Sequence, residues 1–191
     1  MKVFTFAASL RKGSYNKQLI QLVARIIQNV KNVEMTHSDF ADFRMPVYDG
    51  DLEESEGLPE GTKKIIQAIH AADALIISTP EYNSGIPGPF KNAIDWISRD
   101  KSNPLDKKFL LLLAASPGSL GGIRGLPQAR MSFEILGTYV YPKIFAVPKV
   151  NEAFDTQGNL KDATAQERLQ ALLQEYLNFV QTYLKGQQEK A

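Results

Sequence analysis

Ala74-Leu75-Ile76-Ile77-Ser78, followed by Thr79-Pro80-Glu81-Tyr82-Asn83-Ser84-Gly85-Ile86-Pro87-Gly88-Pro89, is the stretch that decides the architecture. Its first part is short and apolar without alternation, which is how a strand covered on both faces reads. Before it, Thr62 to Ala72 has helical spacing; after it, Pro87 to Arg99 has the same, with Pro89 tolerated in the first turn because an N–H there would lack an intrahelical partner. A buried strand between two helices is the unit of a parallel sheet.

The same alternation extends in both directions. Val3 to Ala8 predicts a first strand, and Tyr15 to about Asn29 predicts an amphipathic helix, because Leu19, Ile20, Val23, Ile26, Ile27 and Val30 recur at threes and fours. Val33 to Asp39 is a less hydrophobic second strand, nearer an edge. Asp42 to Pro59 is an irregular connection long enough to be functional. Phe109 to Ala115 is a fourth strand, and a glycine-rich loop leads to a helix near Gln128 to Leu136 and a fifth strand near Tyr139 to Val147. The last helix is expected to open at the capping box Thr164-Ala165-Gln166-Glu167 and to bury the stripe Leu169, Leu172, Leu173, Tyr176, Leu177, Val180 and Leu184.

Five strands and five helices in strict alternation predict an α/β fold. With right-handed crossovers this is a flavodoxin-like, doubly wound five-stranded parallel sheet of order 2-1-3-4-5, with helices on both faces. At 191 residues and 43% hydrophobic content, the chain is expected to form a single domain, 1–191. Ligands of such sheets sit outside the carboxyl ends of the strands, at the switch point between strands one and three.

Composition narrows the chemistry. Charged residues make up 23% and cancel to a formal +1, so there is no basic surface of the kind nucleic acid demands. No run approaches the roughly 18 to 20 apolar residues of a membrane span, and the N-terminal run is too short for a signal peptide; a cytoplasmic protein is expected. The absence of cysteine removes disulfides, thiolate nucleophiles and iron–sulfur clusters, and His37 and His70 are too far apart in sequence to suggest a metal site. Any redox chemistry must use a borrowed group.

The loop after strand one runs Ala8-Ser9-Leu10-Arg11-Lys12-Gly13-Ser14-Tyr15-Asn16 into a helix. It lacks both the glycine pattern of a dinucleotide turn and that of a nucleoside triphosphate loop. Ser9, Ser14 and Asn16 with Arg11 at a helix N-terminus suit a compact monophosphate. The same residues would also serve as a helix cap, a turn and a solvated charge. After strand three, the proline-stiffened loop can offer N–H groups from Glu81, Tyr82 and Asn83 to the pyrimidine edge of an isoalloxazine, or be a rigid connection with no ligand. After strand four, Ala115-Ser116-Pro117-Gly118-Ser119-Leu120-Gly121-Gly122-Ile123-Arg124-Gly125 lets backbone approach a flat ligand; Arg124 alone reads as a solvated charge. In the helix after strand three, Phe90, Ala93, Ile94 and Ile97 form the core stripe, leaving Trp96 as an edge-of-core or subunit-interface aromatic.

Thr79 through Trp96, with Pro-Glu-Tyr-Asn, Gly-Ile-Pro-Gly and Phe90-Lys91-Asn92-Ala93-Ile94-Asp95-Trp96, resembles the signature of the NADPH-dependent FMN reductase family of flavodoxin-like quinone, azo and chromate reductases. Ser9-Leu10-Arg11 to Ser14-x-Asn16 is similar to that family's phosphate loop. The resemblance implies FMN as cofactor, with NADPH or NADH as co-substrate. Ser9, Leu10, Arg11, Ser14, Tyr15 and Asn16 would then hold the phosphate and ribityl chain, and Pro80, Glu81, Tyr82 and Asn83 the isoalloxazine. Ser116 and Gly118 would border the flavin. Ala8 departs from the glycine common in relatives, and its methyl group could restrict the loop. Met45-Pro46-Val47-Tyr48-Asp49 resembles a segment that packs near a neighbouring subunit's site, and a homodimer or homotetramer is implied. The expected reaction is ping-pong hydride transfer from NAD(P)H to a quinone or related small acceptor, with flavin N5 as the redox centre and no catalytic side chain. The competing expectation is a flavodoxin-type electron carrier without its own NAD(P)H oxidation. Such carriers are usually strongly acidic, unlike this chain at +1.

Overall fold

The computed structural model describes residues 1–189, so residues 190 and 191 of the expected domain lie outside the described residues. In chain order the elements are β1 (Lys2–Ala7), α1 (Tyr15–Ile27), β2 (Glu34–His37), a 3-10 turn (Phe40–Asp42), α2 (Gly50–Glu56), α3 (Glu60–His70) and β3 (Ala74–Ser78). There follow α4 (Gly88–Ile97), β4 (Phe109–Ala115), α5 (Gly125–Glu134), β5 (Tyr139–Val140), β6 (Phe145–Val147), α6 (Val150–Ala153) and α7 (Ala163–Gln188). All strand pairings are parallel and the order is β2-β1-β3-β4-β5, with β6 also on β4.

The period of two along the central strands divides the core between the two faces. Val3 and Ala7 of β1, Ala74 and Ile76 of β3, and Phe109, Leu111, Leu113 and Ala115 of β4 pack with α1 and α7. Phe4, Phe6, Leu75, Ile77, Leu110, Leu112 and Ala114 face the other way, onto α3, α4 and α5. Each Val, Leu, Ile or Phe among them contributes about 1.5–3 kcal/mol when fully buried. The side-chain hydroxyl of Tyr176 on α7 donates to the Leu75 carbonyl at 3.0 Å, so a polar contact accompanies the apolar one. β2 is mostly exposed, as the expected edge strand should be.

Three expectations are corrected. The fifth strand is two pieces, interrupted near Pro142, which cannot donate to a ladder. Arg130 of α5 reaches into the gap and donates to the carbonyls of Val140 and Tyr141. The last helix begins before the expected box: Asp162 is its cap, its carboxylate accepting from the N–H groups of Thr164 and Ala165, while Gln166 accepts from Leu160 N–H. The connection from Asp42 to Pro59 is not wholly irregular, because Asp49 caps the short helix α2 through Asp51 N–H.

Candidate functional site

At the carboxyl ends of β1, β3 and β4 the ladder runs on past the strands. Ala8 N–H donates to the Ser78 carbonyl and Thr79 N–H to that of Leu113, each at 2.9 Å. Beyond that point β3 turns away, and Asn16 of α1 takes its place beside β4. The Asn16 side chain accepts from Ala115 N–H and donates to the Ala115 carbonyl, each at 2.9 Å, and it also accepts from the Ser78 hydroxyl at 2.7 Å. A side-chain amide thus stands in for the missing peptide group.

These contacts bring the loops together around an open crevice. Ser9, Arg11, Ser14, Tyr15, Asn16, Pro80, Glu81, Tyr82 and Ser116 line it, nine of the residues singled out from the sequence. Leu10 and Asn83 are exposed and outside its lining, as is Gly118. Ala115 and Pro117 do line it; their only sequence signal is adjacency to Ser116. Ala8 is buried as part of the core on the α3, α4 and α5 side and is not among the residues lining the crevice. A larger cavity of about 480 Å³, lined by Asp73, Lys108, Phe109, Tyr139 and Tyr183, lies at the opposite, amino end of the strands.

The first loop ends in an open helix N-terminus. Ser14 occupies the cap position of α1 in extended conformation but makes no capping hydrogen bond. The main-chain N–H groups of Lys12, Gly13, Ser14, Tyr15 and Asn16 have no acceptor among the described residues. Ser14 and Asn16 are nevertheless buried and line the crevice together with Tyr15, at the positive end of the helix dipole, whereas Lys12 and Gly13 are exposed and outside the lining.

The second loop is a tight hairpin turn. Tyr82 and Gly85 exchange both main-chain hydrogen bonds at 2.9 Å, and the two residues between them, Asn83 and Ser84, have φ of 51° and 64°. The Tyr82 N–H is therefore already used, contrary to the expectation that it would face a ligand. Glu81 N–H has no acceptor among the described residues. The Tyr82 side chain remains 46% exposed at the mouth.

Arg124 is likewise not a free solvated charge. Its guanidinium donates to Glu81 at 2.6 and 2.9 Å, and the Arg124 and Gly125 N–H groups donate to the same carboxylate at 2.8 and 3.3 Å. The Glu81 side chain is only 7% exposed. Burial would push its carboxyl up, but the hydrogen bonds from Arg124 outweigh that and hold it below the ordinary 4.5. With a lowered folded pKa, the contribution of this pair is complete above 4.5 and lost as pH falls through the folded value. Urea unfolding should accordingly show a gap between the wild type and Glu81→Gln that is constant near neutrality and closes in acid; a gap independent of pH would contradict the ion pair.

Trp96 lies beside the two core clusters rather than within either, and not at the surface. It is fully buried, its indole N–H donating to the Pro46 carbonyl at 2.9 Å and its ring meeting Tyr48 edge-on at 5.1 Å. Asn92 donates to the same carbonyl and accepts from Tyr48 N–H, so α4 holds Met45 to Asp49 as a fixed strap.

Among known proteins, the model of the NADPH-dependent FMN reductase family matches residues 1–152. The chain belongs to that family. Membership makes the protein an oxidoreductase whose family chemistry joins FMN to NADPH. It is similar to the quinone reductase of Escherichia coli, 34% identical over 177 residues that cover 87% of this chain and 91% of the relative. It is equally similar to the NAD(P)H-dependent FMN reductase of Pseudomonas aeruginosa, 34% identical over 176 residues, 91% of this chain and 92% of the other. The solved flavoenzyme NAD(P)H:(acceptor) oxidoreductase of Paracoccus denitrificans superposes with a TM-score of 0.79 at 26% identity, covering 95% of this chain and 97% of that one. The family resemblance and the flavodoxin-like fold read from the sequence thus hold. Among the described residues of this FMN reductase family member, no helix is long and apolar enough to cross a membrane, and no group of three His, Asp or Glu could hold a metal ion.

Proposed function

We propose that the crevice binds FMN and that the chain is an NAD(P)H-dependent reductase of quinones or related small acceptors. The observation that carries this reading is the uncapped N-terminus of α1, where Ser14, Tyr15 and Asn16, whose N–H groups have no acceptor among the described residues, line the crevice beside Ser9 and Arg11. A terminal monophosphate supplies the acceptors this arrangement lacks. Tyr15 would flank the ribityl chain; Leu10 and Asn83 would contribute from the rim, outside the crevice lining. Pro80, Glu81 and Tyr82 form one wall for the isoalloxazine, the Glu81 N–H being the free donor, and Ser116, with Gly118 behind it, forms the other. Asn16 serves chiefly to fasten the crevice floor, since both of its side-chain atoms are already engaged by protein groups.

FMN held there would supply the redox centre for ping-pong hydride transfer from NADPH or NADH to the acceptor. The chain's own task is to orient, which holding reactants at about 3–3.5 Å makes kinetically large. The exposed Tyr82 ring at the mouth offers a flat surface to the second reactant. The names of the relatives support quinones as acceptors, along with free flavin. By the same family reading, the protein is one cytoplasmic domain, 1–191, working as a homodimer or homotetramer on small molecules.

Replacing Arg11 with alanine is expected to weaken FMN binding by about 1.5–3 kcal/mol through loss of a charge-assisted bond; unchanged affinity would remove Arg11 from the phosphate site. The reaction itself is tested by anaerobic stopped-flow mixing of FMN-loaded protein with each pyridine nucleotide, then with a panel of acceptors. Bleaching of the flavin followed by its reoxidation by a quinone supports the reductase. A flavin that no pyridine nucleotide reduces overturns it and leaves the electron-carrier reading.

A further inference from the structure

Glu81 stands out among the crevice residues because its peptide borders the crevice while its carboxylate is committed to another loop. The carboxylate receives four hydrogen bonds, all from the start of α5: two from the Arg124 guanidinium and two from the main-chain N–H groups of Arg124 and Gly125. α5 has no side-chain cap of its own, so a glutamate from the loop after β3 neutralises its N-terminal amides. A further tie lies beside it, where the Gln128 side chain donates to the Ser84 carbonyl at 2.9 Å. The two loops run close together where Gly122 and Gly125 face the loop after β3. A Cβ at Gly122 would lie 3.5 Å from the Glu81 Cβ, and one at Gly125 would lie 3.3 Å from the Gly85 carbonyl oxygen.

From this geometry we propose that Glu81, acting with Arg124, is the positioning residue of the crevice: it locks the wall after β3 to the wall after β4, so that both stand in their ligand-binding arrangement before FMN arrives. The inference rests on the reading of the crevice as an FMN site. Its physical content is preorganisation. The turn at Asn83 and Ser84 holds two residues in left-handed conformations; asparagine tolerates this but serine does not favour it, and a segment of that kind keeps one shape best when its surroundings hold it. Loops left to order themselves on binding would lower affinity by the cost of that ordering. The pair also sets the charge near the crevice. With both partners present the carboxylate balances the guanidinium; with glutamine at position 81, the guanidinium and the α5 N-terminus are left as net positive charge, which favours the electron-rich reduced flavin.

The test uses the full chain freed of flavin and titrated with FMN, well below its unfolding temperature, as wild type, Glu81→Gln and Arg124→Lys. Arg124→Lys retains the charge but loses the two-pronged contact. The wild type should bind FMN; Glu81→Gln should bind it about tenfold more weakly, with a slower association rate. Arg124→Lys should fall between them. The bound flavin of Glu81→Gln should have a more positive midpoint potential than that of the wild type, a change that a purely structural role would not produce. FMN affinity within twofold of wild type in both variants, with only a lowered melting temperature, would overturn the proposal. If Glu81→Gln does not fold, the affinity of Arg124→Lys decides. A wild type that binds no FMN refutes the cofactor reading instead, which separates the two failures.

Discussion

Replacing Asn16 with leucine is expected to cost about 3 kcal/mol of folding stability or more, at about 1–3 kcal/mol for each of three buried groups left without a partner. The substitution keeps the branched shape, adds some bulk, and removes every polar contact of the side chain at once. Ala115 N–H, the Ala115 carbonyl and the Ser78 hydroxyl would all lose their partner in a region from which water is excluded. Domains of this size carry about 5–15 kcal/mol in total, so the loss is a large share. Chemical denaturation measures it directly. An Asn16→Leu chain as stable as wild type, but weakened in FMN binding, would show instead that Asn16 is a ligand-binding residue that protein contacts merely occupy.

Trp96→Ala should cost a similar amount, about 3–5 kcal/mol, because it empties the largest fully buried side chain of the core. Trp96→Phe keeps one aromatic ring while losing the indole N–H and the smaller part of the volume. It should cost less than the alanine variant but more than the roughly 1 kcal/mol of one hydrogen bond, since Asn92 still donates to the Pro46 carbonyl. Proteolysis at Met45 to Asp49 should increase in the alanine variant, because α4 then holds the strap through Asn92 alone. A strap equally resistant in the wild type and the alanine variant would mean that its fixity comes from Tyr48, which bonds Glu53 and stacks near Arg99.

The sheet was legible because β1, β3 and β4 carry their information locally. Each is a short apolar run, and strict alternation with helices leaves few topologies that obey right-handed crossover. The position of the crevice followed from that order. What sequence could not show were contacts whose partners are far apart in the chain. Asn16 meets Ala115 across 99 residues, Trp96 meets Pro46 across 50, and Arg124 meets Glu81 across 43. An asparagine in the first turn of a helix after a serine-rich loop looks the same whether it binds a ligand or a strand end. An arginine among glycines looks solvated until its carboxylate is seen. The turn at Asn83 and Ser84 escaped notice for a different reason: with no glycine at either central position it lacks the usual sign of left-handed backbone, and its geometry removes the Tyr82 N–H from the donors expected. The displaced start of α7 is a local error of another kind, in which Asp162 competes successfully with Thr164 for the cap.

The central claim, that the loops after β1, β3 and β4 form one FMN site anchored by its phosphate, is most directly tested by titrating the flavin-free chain with FMN and with riboflavin. The account predicts saturable binding of FMN at one site per chain, with riboflavin weaker by about tenfold or more because the open amides of α1 gain nothing from it. Failure to bind FMN, or equal affinity for the two flavins, would contradict it.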